Sequence, residues 1–421
     1  MKRSILQFAA FLITFSVFSQ NFEAGLQLRP RYEFRNGFKT LLPEAADPAS
    51  LVSQRSRLIL GYNDEALQVK FSFQSVGIWG DSPTMRQEDN NSLSIFEAYG
   101  QYQTSPNFLF RVGRQVLSYD NQRILGEVNW AQQGQSHDAA LISWKPAANH
   151  RLDVAAAYNA EAETLIEAPY LVNSYQNLQM AWYHMDVNNV GFSFLLMNTG
   201  YEFDTVSQDR EVDYIQTFGA FHNFVSGDFS GNVGAYGQAG SRNNRDVSAW
   251  YTGLNLNYKL SLSWIAGVGA EYLSGTDMND TSGEIKSFTP LFGTNHGFNG
   301  HMDYFYVGNH QNSVGLLDIY GKFSYTTSKF DFSIMPHVFS SSANIVDAAG
   351  NERDNYLGTE IDFAAGYKFR KDLQVNFGYS QMFGSGSLEI LKGGDKDATQ
   401  NWAWVMLSFS PKLFQISPDK I

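Results

Sequence analysis

Apolar and polar residues alternate with a period of two over most of the chain. Leu26, Leu28, Tyr32 and Phe34 interleave with Gln27, Arg29, Arg31 and Glu33. Leu67, Val69, Phe71 and Phe73 interleave with Gln68, Lys70, Ser72 and Gln74, and Leu373, Val375, Phe377 and Tyr379 with Gln374, Asn376 and Ser380. Successive side chains of a strand point to opposite faces, so each run predicts a strand with one apolar and one polar face. The pattern predicts about 18 such strands. They fall at 23–34, 53–63, 65–75, 93–103, 107–115, 138–145, 150–159, 177–186, 189–198, 213–223, 228–238, 247–259, 261–274, 315–327, 329–340, 355–369, 372–383 and 401–410. No convincing amphipathic helix stands out.

The connections between these strands alternate in length. After odd strands they are long: 35–52, 76–92, 116–137, 160–176, 199–212, 239–246, 275–314, 341–354 and 384–400. After even strands they are tight, as at Asn63-Asp64, Val187-Asn188 and Arg370-Lys371. A soluble sandwich has no reason to gather every long loop at one end. A single transmembrane antiparallel β-barrel does, with long extracellular loops, short periplasmic turns and an even strand count. Strands of roughly ten residues suit a tilted crossing of the bilayer. Aromatic residues near strand ends, among them Tyr32, Tyr62, Trp144, Trp182 and Trp402, supply interface girdles. Closure is required physically, because a lipid-facing strand edge leaves N–H and C=O groups without water. A barrel this wide also encloses an aqueous lumen.

The first residues form a separate unit. Lys2 and Arg3 precede a mostly apolar stretch at 5–18, and Val17 and Ser19 suit the −3 and −1 positions of a cleavage site. Residues 1–19 therefore read as a secretory signal, and 20–421 as the barrel. The stretch is too short and too interrupted for a membrane anchor, and no later segment approaches about twenty apolar residues. The chain has no Cys, which excludes a disulfide scaffold and a Cys-based zinc site. The formal net charge of −12 argues against nucleic acid as a partner.

That net charge conceals a split. With the apolar register facing lipid, Arg29, Arg31, Arg35, Arg55, Arg57, Lys70 and Arg111 point into the lumen. Inward acids are few there, Glu33 and Glu97, whereas the long loops carry Glu161, Glu163, Glu167, Glu202, Asp204, Asp209 and Glu211. A basic stripe in a water-filled, protein-walled pore raises the local anion concentration. Plain neutralisation of inward acids and loop carboxylates is the competing explanation.

The loop after the fifth strand is unusual. Residues 113–130 read GRQVLSYDNQRILGEVNW, a polar run that keeps Arg114, Asp120, Arg123 and Trp130. Such a loop is expected to fold into a polar lumen and narrow it, since irregular backbone at membrane depth is tolerated where it lines a cavity. In Gly113-Arg114-Gln115, Asp120, Arg123, Trp130 and Asp138 the sequence resembles the alginate export family of outer-membrane barrels. A second match lies at 290–305, PLFGTNHGFNGHMDYF, where H-x-F-x-G-x-x-D falls on His296, Phe298, Gly300 and Asp303. The resemblance implies a secretion channel of the Gram-negative outer membrane for an anionic polysaccharide, with an arginine-lined constriction. Its partners would be outer-membrane lipid and periplasmic secretion components. The chain departs from the usual barrel ending, because 415–421 follow the candidate terminal aromatics Phe409 and Phe414.

Catalytic and cofactor chemistry is not indicated. His137 and Asp138 are adjacent, so on a strand they face opposite ways. His296, His301, His310 and Asp303 share a loop without metal-site spacing. The acidic run at 277–284 lacks the glycine and terminal glutamate of a calcium loop. Alternatives to polysaccharide export are a general small-anion porin, a plugged structural or docking barrel and, remotely, an outer-membrane enzyme.

Overall fold

The computed structural model describes residues 21–81, 93–166, 168–170, 175–204 and 210–416. The expected signal segment 1–19, Glu167 and Asp209 lie outside them.

Eighteen strands form the wall: β1 (Asn21–Asn36), β2 (Ala49–Asn63), β3 (Leu67–Ile78), β4 (Leu93–Ser105), β5 (Phe108–Gln115), β6 (His137–Trp144), β7 (His150–Tyr158), β8 (Asn177–Val187), β9 (Val190–Asp204), β10 (Arg210–Ser226), β11 (Phe229–Ser241), β12 (Asp246–Lys259), β13 (Trp264–Leu273), β14 (Leu316–Thr326), β15 (Phe330–Ser340), β16 (Tyr356–Arg370), β17 (Leu373–Gly384) and β18 (Gln400–Phe409). Each pairs antiparallel with the next, and β1 also pairs with β18 through Leu28↔Phe409, Arg31↔Met406 and Arg35↔Trp402. The sheet thus closes into an antiparallel β-barrel of the kind the loop alternation predicts.

The radial distribution of side chains is inverted relative to a soluble protein. Large apolar residues such as Val112, Ile142, Leu196, Phe218 and Phe377 are exposed on the outside. Buried inward positions carry Arg29, Arg55, Arg57, Asp153, Asp318 and Glu360. Charged residues are rarely buried unless paired, so this arrangement fits a wall with lipid outside and a polar interior. What buries the inward charges is loop chain. Leu117, Ile124, Leu125, Phe288, Met302, Tyr304 and Phe305, all from two long loops, pack with wall residues Trp402, Phe339 and Leu273 into one apolar cluster inside the barrel.

Three local features differ from the sequence expectation. The connections expected at 199–212 and 239–246 are shorter, because the hairpins keep pairing past the apolar register. Asp204 pairs with Arg210, and Ser241 with Asp246. Charged side chains there mask the alternation while backbone pairing continues. Residues 386–392 form a short helix, α1 (Gly386–Lys392), whose N-cap Ser385 accepts from the Leu388 N–H at 3.2 Å. After Pro411, which lacks an N–H and breaks the ladder, the chain resumes as β19 (Lys412–Ile416). This segment pairs with the first part of β1 and so extends β18 rather than adding a wall position. Phe414 stacks on Phe22 at 5.6 Å, while Phe409 closes the β1–β18 ladder.

Exposed Ser282 and Ala349 lie in the long connections after β13 and β15. In this Cys-free chain, Ser282→Cys and Ala349→Cys should react with an impermeant thiol reagent on intact cells, since long loops face outward. Reaction only after permeabilisation would invert the topology.

Candidate functional site at the luminal constriction

The loop 116–136 leaves β5, crosses the interior and returns to β6. On one side Tyr119 donates to the Asp153 carboxylate of β7 at 3.0 Å, and the Trp182 indole of β8 donates to Asp120 at 3.2 Å. Burial raises the pKa of Asp120, opposed by hydrogen bonds from Ser193, Trp182 and Tyr236. Further along, Arg123 pairs with Glu271 of β13 at 2.9 Å. Residues 129–133 then reach β1, β2 and β3. Several sharp bends set this path: Asp120 (φ 53), Gln122 (φ 64), Val128 (φ 52) and Gly134 (φ 72) have left-handed backbones. A Cβ on Gly134 would come within 2.6 Å of the Phe96 ring, so the close approach there requires glycine.

The strap at 129–133 is held by the basic wall. Arg29 and Arg55 are directly opposite in the β1–β2 ladder, and Arg57 is opposite Gln27. Like charges in that relation destabilise a strand pair. The offset comes from the strap. Arg29 donates to the Gln132 side-chain oxygen at 3.0 Å and to the carbonyls of Asn129, Trp130 and Ala131 at 2.8, 3.1 and 3.0 Å. Arg31 donates to the Trp130 carbonyl at 2.9 Å, and Arg55 to the Asn129 side chain at 2.8 Å. Arg57 donates to Gln74 at 2.7 Å and lies 3.6 Å from the Phe96 ring centroid, while Gln74 in turn donates to the Gln133 carbonyl at 2.9 Å. Every acceptor named for Arg29, Arg55 and Arg57 is neutral. Arg31 differs, pairing with Glu33 at 2.9 Å.

The loop 274–315 also folds inward. His296 and Asp303 close on each other at 2.6 Å. Trp130 stacks on the His296 ring at 4.4 Å and meets Trp404 edge-on at 4.7 Å. The Phe298 ring lies 4.5 Å from the Arg123 guanidinium. Gly300 (φ 82) permits the backbone to pass Glu360, whose carboxylate a Cβ would meet at 2.7 Å. The Met302 N–H donates to that carboxylate at 2.8 Å and the His301 N–H to Asp362 at 3.2 Å, docking the loop on β16. Burial lowers the pKa of His301, partly countered by Asp362. The Tyr304 hydroxyl donates to the Gly37 carbonyl at 2.6 Å, reaching the loop after β1. The parallel bridge Leu125↔Phe292 joins the two inward loops.

The sequence matches the family model for alginate export over residues 20–388. The chain belongs to the alginate export family. No curated protein shows a significant match. Among solved structures, the barrel is similar to Pseudomonas aeruginosa OccK9 (OpdG), at 12% identity and a TM-score of 0.64, covering 93% of this chain and 98% of that one. Pseudomonas aeruginosa OccK1 (OpdK) is similar at 12% identity and a TM-score of 0.62, covering 94% and 100%. Acinetobacter baumannii OccAB4 is similar at 10% and 0.63, covering 94% and 98%. At these identities the likeness is one of fold. Family and fold together make the protein a Gram-negative outer-membrane channel.

In this alginate export family barrel, the residues singled out in the sequence separate into groups. Arg29, Arg31, Arg55 and Arg57 converge on the strap, which contains Trp130. Lys70 faces inward but pairs with Glu97 at 2.5 Å. Arg111 faces inward, held by Gln101 at 2.6 Å, and lines a small cavity of about 210 Å³ with Asp120, Arg151 and Trp182. Arg114 was expected at the constriction, but the strand parity that turns Arg111 and Gln115 inward turns it outward. It makes a two-pronged pair with Asp138 across the β5–β6 ladder, at 2.9 and 2.7 Å. Arg123 was expected among the charges of the narrowest point, yet it is 1% exposed and neutralised by Glu271 at Nη2, where Asn299 also accepts, with Asn295 accepting from Nη1. Of the second loop's motif, His296 and Asp303 close on each other, whereas Phe298 covers Arg123 and Gly300 passes Glu360. Among the described residues, no group of three or more His, Asp or Glu is arranged to hold a metal ion.

Sequence reasoning did not single out Asn129 and Gln132, whose amides receive the wall arginines, or Glu271, Glu360 and Asp362, which anchor the loops. Their signal was present only as acids in the inward register of late strands. Beside the strap and Trp130, a cleft of about 620 Å³ is lined by Arg31, Arg35, Lys39 and Asp303. A second, of about 510 Å³, is lined by Gln238, Arg242 and Asn312. Gln135 and Gln311 border both.

Proposed function

We propose that the channel passes an anionic substrate, an acidic polysaccharide, and that Arg29, Arg31, Arg55, Arg57, Arg111 and Lys70 form its basic wall. One observation carries the reading. Arg29, Arg55 and Arg57 face the lumen within three adjacent strand positions and receive only neutral hydrogen-bond acceptors. Glu127 and Glu97 act on them only through space. Burying uncompensated charge costs on the order of several kcal/mol per ion. A chain built for stability alone would place carboxylates here, as it does beside Arg123 and Lys70. Retained positive charge in a protein-walled lumen concentrates anions, and rows of guanidiniums bind carboxylates in weak successive steps. Pseudomonas aeruginosa OpdK, similar in fold at 11% identity and a TM-score of 0.60, has been crystallised with vanillate, itself a carboxylate.

Replacing Arg29, Arg55 and Arg57 together by Gln removes three charges and leaves a polar amide at each position. In planar bilayers under a salt gradient, the reversal potential of this variant should move toward cation preference. An unchanged potential would remove the basic wall from the selectivity mechanism.

A plugged docking barrel is the second reading. It is favoured by the fully buried Met302, Tyr304 and Phe305, which fill the interior where the loops meet. A total absence of conductance under any substrate would favour it.

A further inference from the structure

The strap at 129–133 occupies the wall arginines with atoms that resemble a ligand. The carbonyl oxygens of Asn129, Trp130 and Ala131, all within 3.1 Å of Arg29 nitrogens, stand where the oxygens of a bound carboxylate would stand. We infer that the strap is an internal stand-in for the substrate, and that carboxylates of an acidic glycan open the channel by displacing it from Arg29, Arg31 and Arg55. This rests on the anion reading above and adds how the site is opened.

Two independent features support the exchange. The first is a difference in charge. The strap carbonyls already accept charge-assisted bonds, but a carboxylate adds a full negative charge opposite the guanidiniums and accepts in two-pronged geometry. A carboxylate that replaces strap carbonyls therefore gains interaction and also neutralises two arginines that face each other across β1 and β2. Neutral sugars offer no such gain, so the strap discriminates by charge. The second is the backbone. The strap is bracketed by Val128 at φ 52 and Gly134 at φ 72. A β-branched residue in the left-handed region is strained. Lifting the strap lets Val128 relax, and Gly134 turns at little cost. The motion thus has hinges at both ends and stored strain at one. The cleft of about 620 Å³ beside the strap gives an arriving glycan access to it.

Ser53 lies on β2 against the strap, with the Gln132 amide donating to its hydroxyl at 3.1 Å, and it is buried. A Ser53→Cys chain is nearly isosteric and is the single thiol in the protein. Its reaction with a neutral maleimide, in potassium chloride, should be slow. Adding short polyuronate fragments should accelerate it several-fold, whereas neutral glucan fragments of equal length should not. Adding Arg29→Gln and Arg55→Gln should make labelling fast in chloride and insensitive to polyuronate. Ala131→Cys carrying a fluorophore reports the same displacement from the strap itself, should the Ser53 variant fail to assemble. No polyuronate effect in a channel that still prefers anions overturns the displacement and leaves the anion reading standing. Equal acceleration by neutral glucan also overturns it. No effect together with a cation-preferring channel sinks both.

Discussion

Replacing residues 119–133 by a short Gly-Ser linker should raise single-channel conductance several-fold while leaving the barrel intact. The loop crosses from Asp153 and Trp182 on one side to Arg29, Arg55 and Gln74 on the other. No wall strand depends on it, because β5 and β6 pair directly from Phe108↔Trp144 to Gln115↔His137. Closure of the barrel rests on the backbone ladder between β1 and β18, which the deletion leaves in place although Trp130 no longer packs on Trp404. Removing the strap returns four arginines to water, which relieves their desolvation, and widens the pore where they lie. Heat-modifiable migration on gels checks that the barrel forms. Unchanged conductance would mean that the second inward loop alone sets the narrowest point.

The second large effect is expected at Arg123. Its guanidinium joins Glu271 of the wall to Asn295 and Asn299 of the second loop, and it is packed against Phe298. Arg123→Met fills much of the volume but leaves Glu271 buried with only Tyr251 and Asn299 as donors, at 2.7 and 2.9 Å. Breaking a buried pair from one side costs about 3–5 kcal/mol. That exceeds what a docked loop is expected to spare, so both inward loops should release. Limited proteolysis should then cut within 119–133 and 275–314, sites protected in the parent, with the barrel fragments still heat-modifiable. Adding Glu271→Leu removes the orphaned carboxylate and should restore much of the protection. Equal protease resistance in Arg123→Met and the parent would show that apolar packing of Leu125, Phe288 and Phe305 holds the loops unaided.

These two predictions lie where sequence and structure part company. The strands were legible because lipid on one face and water or loop on the other enforce the period of two, residue by residue, from β1 to β18. Alternation also gave the direction of Arg29, Arg31, Arg55 and Arg57. The same parity, carried two residues past Val112, would have turned Arg114 outward, but its place in a loop motif concealed this. Arg123 was misread for a different reason. A lone arginine in a loop carries no parity, and its partner Glu271 is 148 positions away, so only the fold brings them together. The strap's contribution was invisible because its acceptors are largely backbone carbonyls, which every sequence has. Helix α1 is seven residues long, below the length at which helical periodicity separates from noise. The motif at 296–303 was visible as a pattern, but its meaning was not. His296 and Asp303 close a turn, Phe298 covers a guanidinium and Gly300 makes room for Glu360, roles that need coordinates rather than spacing.

The basic wall of a Gram-negative outer-membrane channel is tested most directly by the reversal potential of the unmodified protein in a planar bilayer under a potassium chloride gradient. Preference for chloride over potassium is the predicted result. Preference for potassium would contradict it.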